Sequence, residues 1–298
     1  ALTLAAALLC GAAFLGSFTA LAAQAESQTG AQAEAQVFTP GVAGQITSCK
    51  ISGDKQNVEI GFSSSGDVTG TDGNIYVFEM QPYEEELGSR SNFIASSPAL
   101  SAASVSVPLN LGTPQDKLYS RFVLAVFDGT KFIKVSQPHY ITNPELIAKN
   151  QTPFNDPLTK KGLVIEIDML SDAFDLGVKH VTTNIAFSQI MGTGIDYQYD
   201  GKTYHFNKGV VDAYDKTISA LSNKGMTVTV ILLNDWNPNT PDLVYPGTQK
   251  NSNAFYYMFN AETEAGFDQT KAIASFLAQH YSGDNPNYGK VSNWIIGN

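Results

Sequence analysis

Two hydrophobic periodicities divide the chain. From about Gln45 to Ile141 apolar residues recur at every second position: Val58, Ile60 and Phe62 alternate with polar partners, and Phe122, Leu124 and Val126 follow Arg121 in the same rhythm. That period belongs to half-buried strands. Asp128 and Gly129 stand between the β-rich runs Phe122 to Phe127 and Lys131 to Val135, which predicts a hairpin. Short strands, Ser-rich or Gly-rich connections and no helical stretch predict a small β-sandwich over 45–142, immunoglobulin-like in outline, with Tyr119 as a candidate corner tyrosine. A connector over 143–159 follows, with three prolines between Pro144 and Pro157.

Beyond it, strand patterns alternate with amphipathic helical ones, and that alternation implies a parallel sheet. Leu163, Ile165 and Ile167 form a short strand, followed by a helix from about Met169 that ends at Gly177. Val178 to Phe187 is the second strand. A helix from about Gly209 to Lys224 places Val211, Tyr214, Ile218 and Leu221 on one face, with Asn207 as N-cap and Gly225 as stop. Met226 to Leu233 is almost wholly apolar, as a strand covered on both faces would be. A third helix, about Ala265 to Tyr281, turns Ile273, Phe276, Leu277 and His280 inward, and Val291 to Asn298 is a fourth strand. Four strands with three helices between them predict an α/β fold: the N-terminal half of a (β/α)8 TIM barrel over 160–298, preceded by the sandwich. An apolar strand that delivers Gly297 and Asn298 to its C-terminal end, with nothing after it, reads as a fragment cut before its catalytic half.

An insertion, Ile195 to Phe206, carries Asp200 and Gly201 at its tip. In a two-residue hairpin Tyr199 opposes Lys202, Tyr197 opposes Tyr204 and Ile195 opposes Phe206, so the aromatics share one face and Asp196, Gln198, Thr203 and His205 the other. The aromatic face has two readings, packing on the barrel rim or walling a sugar cleft, and the first is favoured.

Composition changes the picture at the N-terminus. Leu2 to Ala23 carries no charge, is rich in Leu and Ala, and leads to the A-x-A pattern Ala23, Gln24, Ala25. This predicts a signal peptide over 1–25, cut after Ala25. The competing reading is a membrane anchor, because about 20 apolar residues span a bilayer; the dominance of small residues and the polar stretch that follows favour cleavage and no stable membrane insertion. Cys10 follows Leu9 inside the apolar run, against a lipoprotein. With no initiator Met or basic segment before it, the N-terminus reads as clipped. Residues 26–44 are Ala, Gln, Glu, Ser and Thr with few large apolar groups, a disordered linker that cannot offset its ordering entropy by burial. The remaining chain has Cys49 as its single cysteine. A count of 28 acidic against 18 basic residues, net charge −10, repels phosphate backbones, and no nucleic-acid partner is expected.

Several kinds of chemistry lack their residues. The histidines, His139, His180, His205 and His280, show no metal spacing, and no metal or cofactor is expected. There is no G-x-S-x-G elbow, and Gly192, Thr193, Gly194 lacks the rest of a dinucleotide fingerprint. Asp67, Thr69, Thr71 and Asp72 match a calcium loop only loosely; a plain turn is the better reading. His180 reads as a satisfied core residue. What remains is polar residues at strand C-termini: Asn184 after the second strand, Asn234, Asp235 and Trp236 after the third, Gly297 and Asn298 after the fourth. In a parallel barrel these converge on one face, where amides and a carboxylate can bond hydroxyls and an indole can cover a sugar ring. Each could instead cap a loop.

The run Val291 to Asn298 resembles the fourth strand of clan A glycoside hydrolase barrels, which ends in Asn followed by the acid/base Glu. More closely, Lys161 to Leu163, Leu176 to His180, Ile195 to Asn207, Ile231 to Trp236 and Trp294 to Asn298 resemble a family of secreted bacterial proteins labelled a domain of unknown function. The resemblance covers about Lys160 to Asn298. It implies that Asn298 orients the substrate by bonding the sugar 2-hydroxyl, that a Glu follows it, that a second carboxylate comes from a later strand, and that the protein is secreted or on the bacterial cell surface. Asn184, Asn234, Asp235 and Trp236 would bind substrate. Many clan members carry Arg in strand two and His after strand three, where this chain has Thr182 or Asn184, and Asn234 to Trp236. The expected function is hydrolysis of β-linked glycans by two carboxylates, with the 298-residue piece itself inactive. The alternatives are a surface glycan-binding or adhesive protein with a degenerate barrel, and a cell-wall structural module.

Overall fold

β1 (Gly44–Ile51) shows how the sandwich forms. Its register on β2 (Asn57–Ser64) slips between Ile46 and Ser48, so that Ile46, Cys49 and Ile51 all face inward although they differ in parity. The computed structural model describes residues 44–64, 70–149, 157, 159–166 and 169–297. The predicted signal peptide, nearly all of the predicted linker, Asp67, Thr69, Ile167 and Asn298 lie outside these residues.

The described part is mixed α/β, with many strands and few helices. β1 and β2 join β5 (Ala103–Pro108) in one antiparallel sheet. A second contains β3 (Asn74–Met80), β4 (Ala95–Pro98), β6 (Arg121–Phe127), β7 (Phe132–Lys134) and β8 (His139–Tyr140), in the order β4-β3-β6-β7 with β8 on β6. The sheets enclose Cys49, Ile60, Phe62, Val77, Phe122 and Leu124. β6 is buried on both faces, because Val123 and Ala125 join Phe78, Met80 and Leu87 in a second cluster behind the sheet; simple alternation holds for β2 but not here. The Asp128 hairpin forms. The Asp128 Oδ1 accepts from the Thr130 and Lys131 amides, and Gly129 takes φ 100°. Tyr119 is 53% exposed and its hydroxyl bonds to nothing among the described residues, so it is not a corner tyrosine.

The second region is a parallel sheet. β9 (Gly162–Val164), β10 (His180–Ala186), β13 (Thr227–Leu233) and β14 (Asn293–Ile296) lie side by side in chain order. Between them come α1 (Leu170–Asp175), α2 (Phe187–Ile190), the hairpin β11 (Gly194–Tyr199) and β12 (Lys202–Asn207), α3 (Lys208–Ser222) and α4 (Glu264–His280). The caps are those the sequence predicts. Asn207 Oδ1 accepts from Val210 N, and Gly177 and Gly225 take φ 61° and 74°. Val181, Ile185, Val228, Val230 and Leu232 pack against Ile218, Leu221, Ile273 and Leu277 of the helices. The other face is not covered as the apolar run 226–233 led one to expect: among the described residues the sheet is open, with Val164 68% and Ile295 43% exposed.

The hairpin pairs as its spacing requires, Tyr199 with Lys202, Tyr197 with Tyr204 and Ile195 with Phe206. Positive φ at Asp200 (50°) and Gly201 (72°) matches the strand twist. Its aromatic face packs on α4: Phe206 stacks on Phe276 at 3.9 Å, and the Tyr197 hydroxyl reaches Ser275 Oγ at 2.9 Å. It is core, not a cleft wall.

Candidate functional site

The carboxyl ends of β10, β13 and β14 meet a long connection, 234–263, that has little regular structure. Where such a loop folds inward, at Asn234, Leu243, Val244 and Asn260, its peptide groups need partners. Two asparagines supply them. Asn234, 1% exposed, donates from Nδ2 to Leu243 O (2.8 Å) and Met258 O (3.1 Å), while Tyr257 N donates to its carbonyl (2.8 Å). Asn260, 3% exposed, donates to Asp242 O and to Thr263 Oγ1, the N-cap of α4. A Cβ on Gly266 would lie 2.5 Å from Asp242 O, so the loop closes tightly on the helix start.

Held this way, the loop raises an aromatic group over the strand ends. Leu233, Asn234, Tyr256, Tyr257, Met258, Phe259 and Gly297 line a cavity of about 500 Å3. Trp236 meets Tyr257 edge to face at 5.6 Å, and Phe259 meets Phe187 in the same way at 5.0 Å. The Tyr257 hydroxyl is fixed by Asn251 and Ala254. Phe255, Tyr256 and Met258 remain exposed beside it.

Of the residues singled out from the sequence, Asn234 and Gly297 line this cavity and Trp236 borders it through Tyr257. Asp235 turns the other way. Its Oδ2 accepts from Ser188 Oγ at 2.5 Å and its Oδ1 from Ser188 N at 3.3 Å, which ties the β13 end to the β10 end. Asn184 does not follow its strand: β10 continues to Ala186, and Asn184 sits on the open sheet face beside Ile231, one layer below the strand ends. Asn298 lies outside the described residues. His180 is not in the core; its Nε2 contacts Thr159 O at 2.9 Å.

Asn234 plays two parts. Its amide nitrogen is committed to the loop, whereas its buried Oδ1 has no partner among the described residues. On the helix side, burial pushes the Tyr214 hydroxyl above its ordinary pKa, with Tyr256, Glu166 and Asp235 adding to the effect, so it stays protonated at neutral pH. The described face therefore offers amides, hydroxyls and aromatic rings, with Asp235 held by Ser188. Among the described residues no three of His, Cys, Asp and Glu gather as metal ligands, and no helix is long and apolar enough to cross a membrane.

Sequence reasoning passed over Ser188 and the loop aromatics. The signal was present in Phe255 to Phe259, a nearly continuous aromatic run between the third strand and the third helix, where a βα loop must lie.

Residues 153–298 match the family described as "Family of unknown function (DUF5722)". No curated protein matches the chain. Among solved structures, a calcium binding mutant of Bacteroides uniformis beta-glucuronidase 2 is similar at a TM-score of 0.24 and 11% identity, covering 87% of this chain and 28% of that one. The catalytic module of SpuA, a multi-modular glycogen-degrading pneumococcal virulence factor, is similar at 0.23 and 8%, covering 78% of this chain and 45% of that one. The chain thus spans less than half of either, and likenesses of this size carry no argument about fold or activity.

Proposed function

We propose that the chain carries the substrate-binding face of a secreted glycoside hydrolase-like protein that acts on β-linked glycans through two carboxylates. The reading takes β9, β10, β13 and β14 as the first half of a (β/α)8 barrel over 160–298. It takes 45–142 as an immunoglobulin-like accessory sandwich, behind a signal peptide over 1–25, a linker over 26–44 and a connector over 143–159. The observation that supports it best is the cavity at the strand ends, where Asn234, Gly297 and the Trp236–Tyr257 pair meet in a parallel sheet built in chain order. Parallel α/β sheets bind ligands at this end. Aromatic faces cover the apolar face of a sugar ring, and the amides bond its hydroxyls. Asn298 takes the orienting role on the sugar 2-hydroxyl, and the carboxylate pair comes from elsewhere in the protein.

A second reading is a surface protein that binds glycan without cleaving it. The make-up of the described face supports it, because amides, hydroxyls and aromatic rings suffice to bind a sugar, and the carboxylate beside them, Asp235, is held by Ser188 Oγ at 2.5 Å. Both readings require that the chain bind a β-linked oligosaccharide and that Trp236→Ala weaken binding at least about tenfold, roughly 1.4 kcal/mol. Titration calorimetry against gluco-, xylo-, manno- and chito-oligosaccharides tests this. Equal affinity in the variant would remove Trp236 from the site. The full-length protein hydrolyses the bound glycan in the first reading and leaves it intact in the second.

A further inference from the structure

The polar face of the hairpin takes no part in that reading. Asp196, Gln198, Thr203 and His205 alternate with the aromatics that pack on α4, and they look away from the core. Opposite them runs the loop after β13. Between the two lies a second cavity of about 450 Å3, with Thr203 and His205 on the hairpin side, Asn237, Asn239 and Thr240 on the loop side, and Gln269 of α4 between. A space of this size falls within the range of small-molecule sites.

Its lining has a definite chemistry. No Lys, Arg, Asp or Glu contributes to it; the groups are amides, hydroxyls and the His205 ring, whose Nδ1 is 2.8 Å from Asp196 Oδ1. A phosphate would call for cations and a divalent metal for carboxylates. Amides and hydroxyls, which both donate and accept, suit a neutral polyhydroxylated ligand. Among the described residues, the Asn239 and Gln269 side chains hydrogen-bond to nothing, and Asn237 uses only its Oδ1, on Asn239 N. Thr240 is the informative residue. It stands at the N-cap of the short turn Pro241–Leu243, yet its hydroxyl makes no capping bond, and among the described residues its buried Oγ1 has no partner. A hydroxyl buried unpaired costs stability; Thr240 borders the cavity, and a side-chain turn that brings this hydroxyl to a ligand would recover the bond.

The two cavities share no lining residue but are linked through one contact. Ser188 lines the polar one, and it holds Asp235, the neighbour of Asn234 in the other. We propose that the cleft between the hairpin and the loop 237–240 is a second glycan subsite, which makes the ligand an extended neutral oligosaccharide in place of a mono- or disaccharide. The proposal rests on the strand-end reading above and assigns the hairpin its role: the aromatic face anchors it and the polar face binds the chain's continuation. A peptide is the lesser candidate, because the lining offers only two large side chains with apolar surface, Met191 and the Tyr204 ring, among amides and hydroxyls, and peptide recognition relies on pockets for several.

The test is calorimetric titration of the 298-residue protein, Trp236→Ala, and the double variant Asn239→Ala/Gln269→Ala. The probes are β-linked disaccharides and hexasaccharides of glucose, xylose, mannose and N-acetylglucosamine, with a neutral Gly/Ser hexapeptide alongside. Circular dichroism and the urea midpoint verify folding. The wild type is expected to bind at least one hexasaccharide about tenfold more tightly than its disaccharide. The double variant is expected to lose that advantage and keep disaccharide affinity, while Trp236→Ala weakens both. Equal affinity for the two lengths, or a double variant that retains the advantage, overturns the subsite and leaves the strand-end reading standing. Binding that depends on the cleft but not on Trp236 overturns the strand-end reading alone. Cleft-dependent capture of the hexapeptide assigns the cleft to peptides and overturns the proposal, and a protein that binds no saccharide overturns both.

Discussion

Phe206→Ala and His205→Ala remove adjacent side chains from opposite faces of one strand, and the division of labour in the hairpin requires them to behave very differently. Phe206 is fully buried, with its ring stacked on Phe276 at 3.9 Å and 13° and set edge-on to Tyr197 at 6.1 Å. Truncating a buried Phe costs about 3–5 kcal/mol, and the lost ring pairing accounts for roughly 0.5–1.5 kcal/mol of it. His205 is exposed, and its contact with the exposed Asp196 is a surface pair worth about 0–1 kcal/mol. Tyr197→Phe falls between them: it keeps the ring and loses hydroxyl contacts to Ser275 and Gln279, for about 1 kcal/mol. Urea unfolding followed by the fluorescence of Trp236 and Trp294 measures all three. The expected order is Phe206→Ala far below wild type, Tyr197→Phe slightly below, and His205→Ala unchanged. A Phe206→Ala variant within about 1 kcal/mol of wild type, or a His205→Ala variant as damaged as Phe206→Ala, would refute the assignment of one face to the core and the other to the cleft.

Other consequences are independent of that one. Thr240→Val removes the unpaired buried hydroxyl, so thermal stability is expected to stay equal or rise by up to about 1 kcal/mol while hexasaccharide affinity falls; a loss of stability would show that the hydroxyl has a structural partner. Asn234→Ala removes the bonds to Leu243 O and Met258 O, for about 1–3 kcal/mol, and limited proteolysis should then cut within 237–258 before the rest of the chain. Burial pushes the Cys49 thiol from 9.0 up to about 12, so its contribution to stability is complete below pH 9.0 and is lost as pH rises toward 12. The stability of wild type relative to Cys49→Val should fall across that window by up to about 1.4 kcal/mol per pH unit, and a difference independent of pH would contradict the burial of the thiol.

Where one residue type settles a local choice, the chain could be read directly. Asp200 and Gly201 fix the hairpin register, since a two-residue turn with both φ positive admits few other residues, and the alternation on either side then sorts its faces. Asn207 and Gly225 bound α3 for similar reasons, through a side-chain cap and a left-handed stop. Alternation misled where burial is two-sided or bulged. β6 hides Val123 and Ala125 behind its sheet, and the slip after Ile46 lets Ile46 and Cys49 share an interior that strict alternation denies them. For the site, Trp236 and Asn234 were legible as strand-end residues. Their partners were not, because the contacts of Asn234 with Leu243 and Met258 depend on how a long loop folds back, which no local period encodes. Thr240 is the extreme case: its sequence position suggests a cap, and only the geometry shows the hydroxyl left over.

The central claim is that the strand-end face holds a β-linked glycan. Mapping backbone amide shifts during titration with the tightest-binding hexasaccharide tests it most directly. The account expects the largest changes at Leu233 to Trp236, Tyr256 to Phe259 and Gly297, with a second group at Asn237 to Thr240 and on the polar face of the hairpin. Shifts confined to the sandwich strands, or none at saturating sugar, would contradict it.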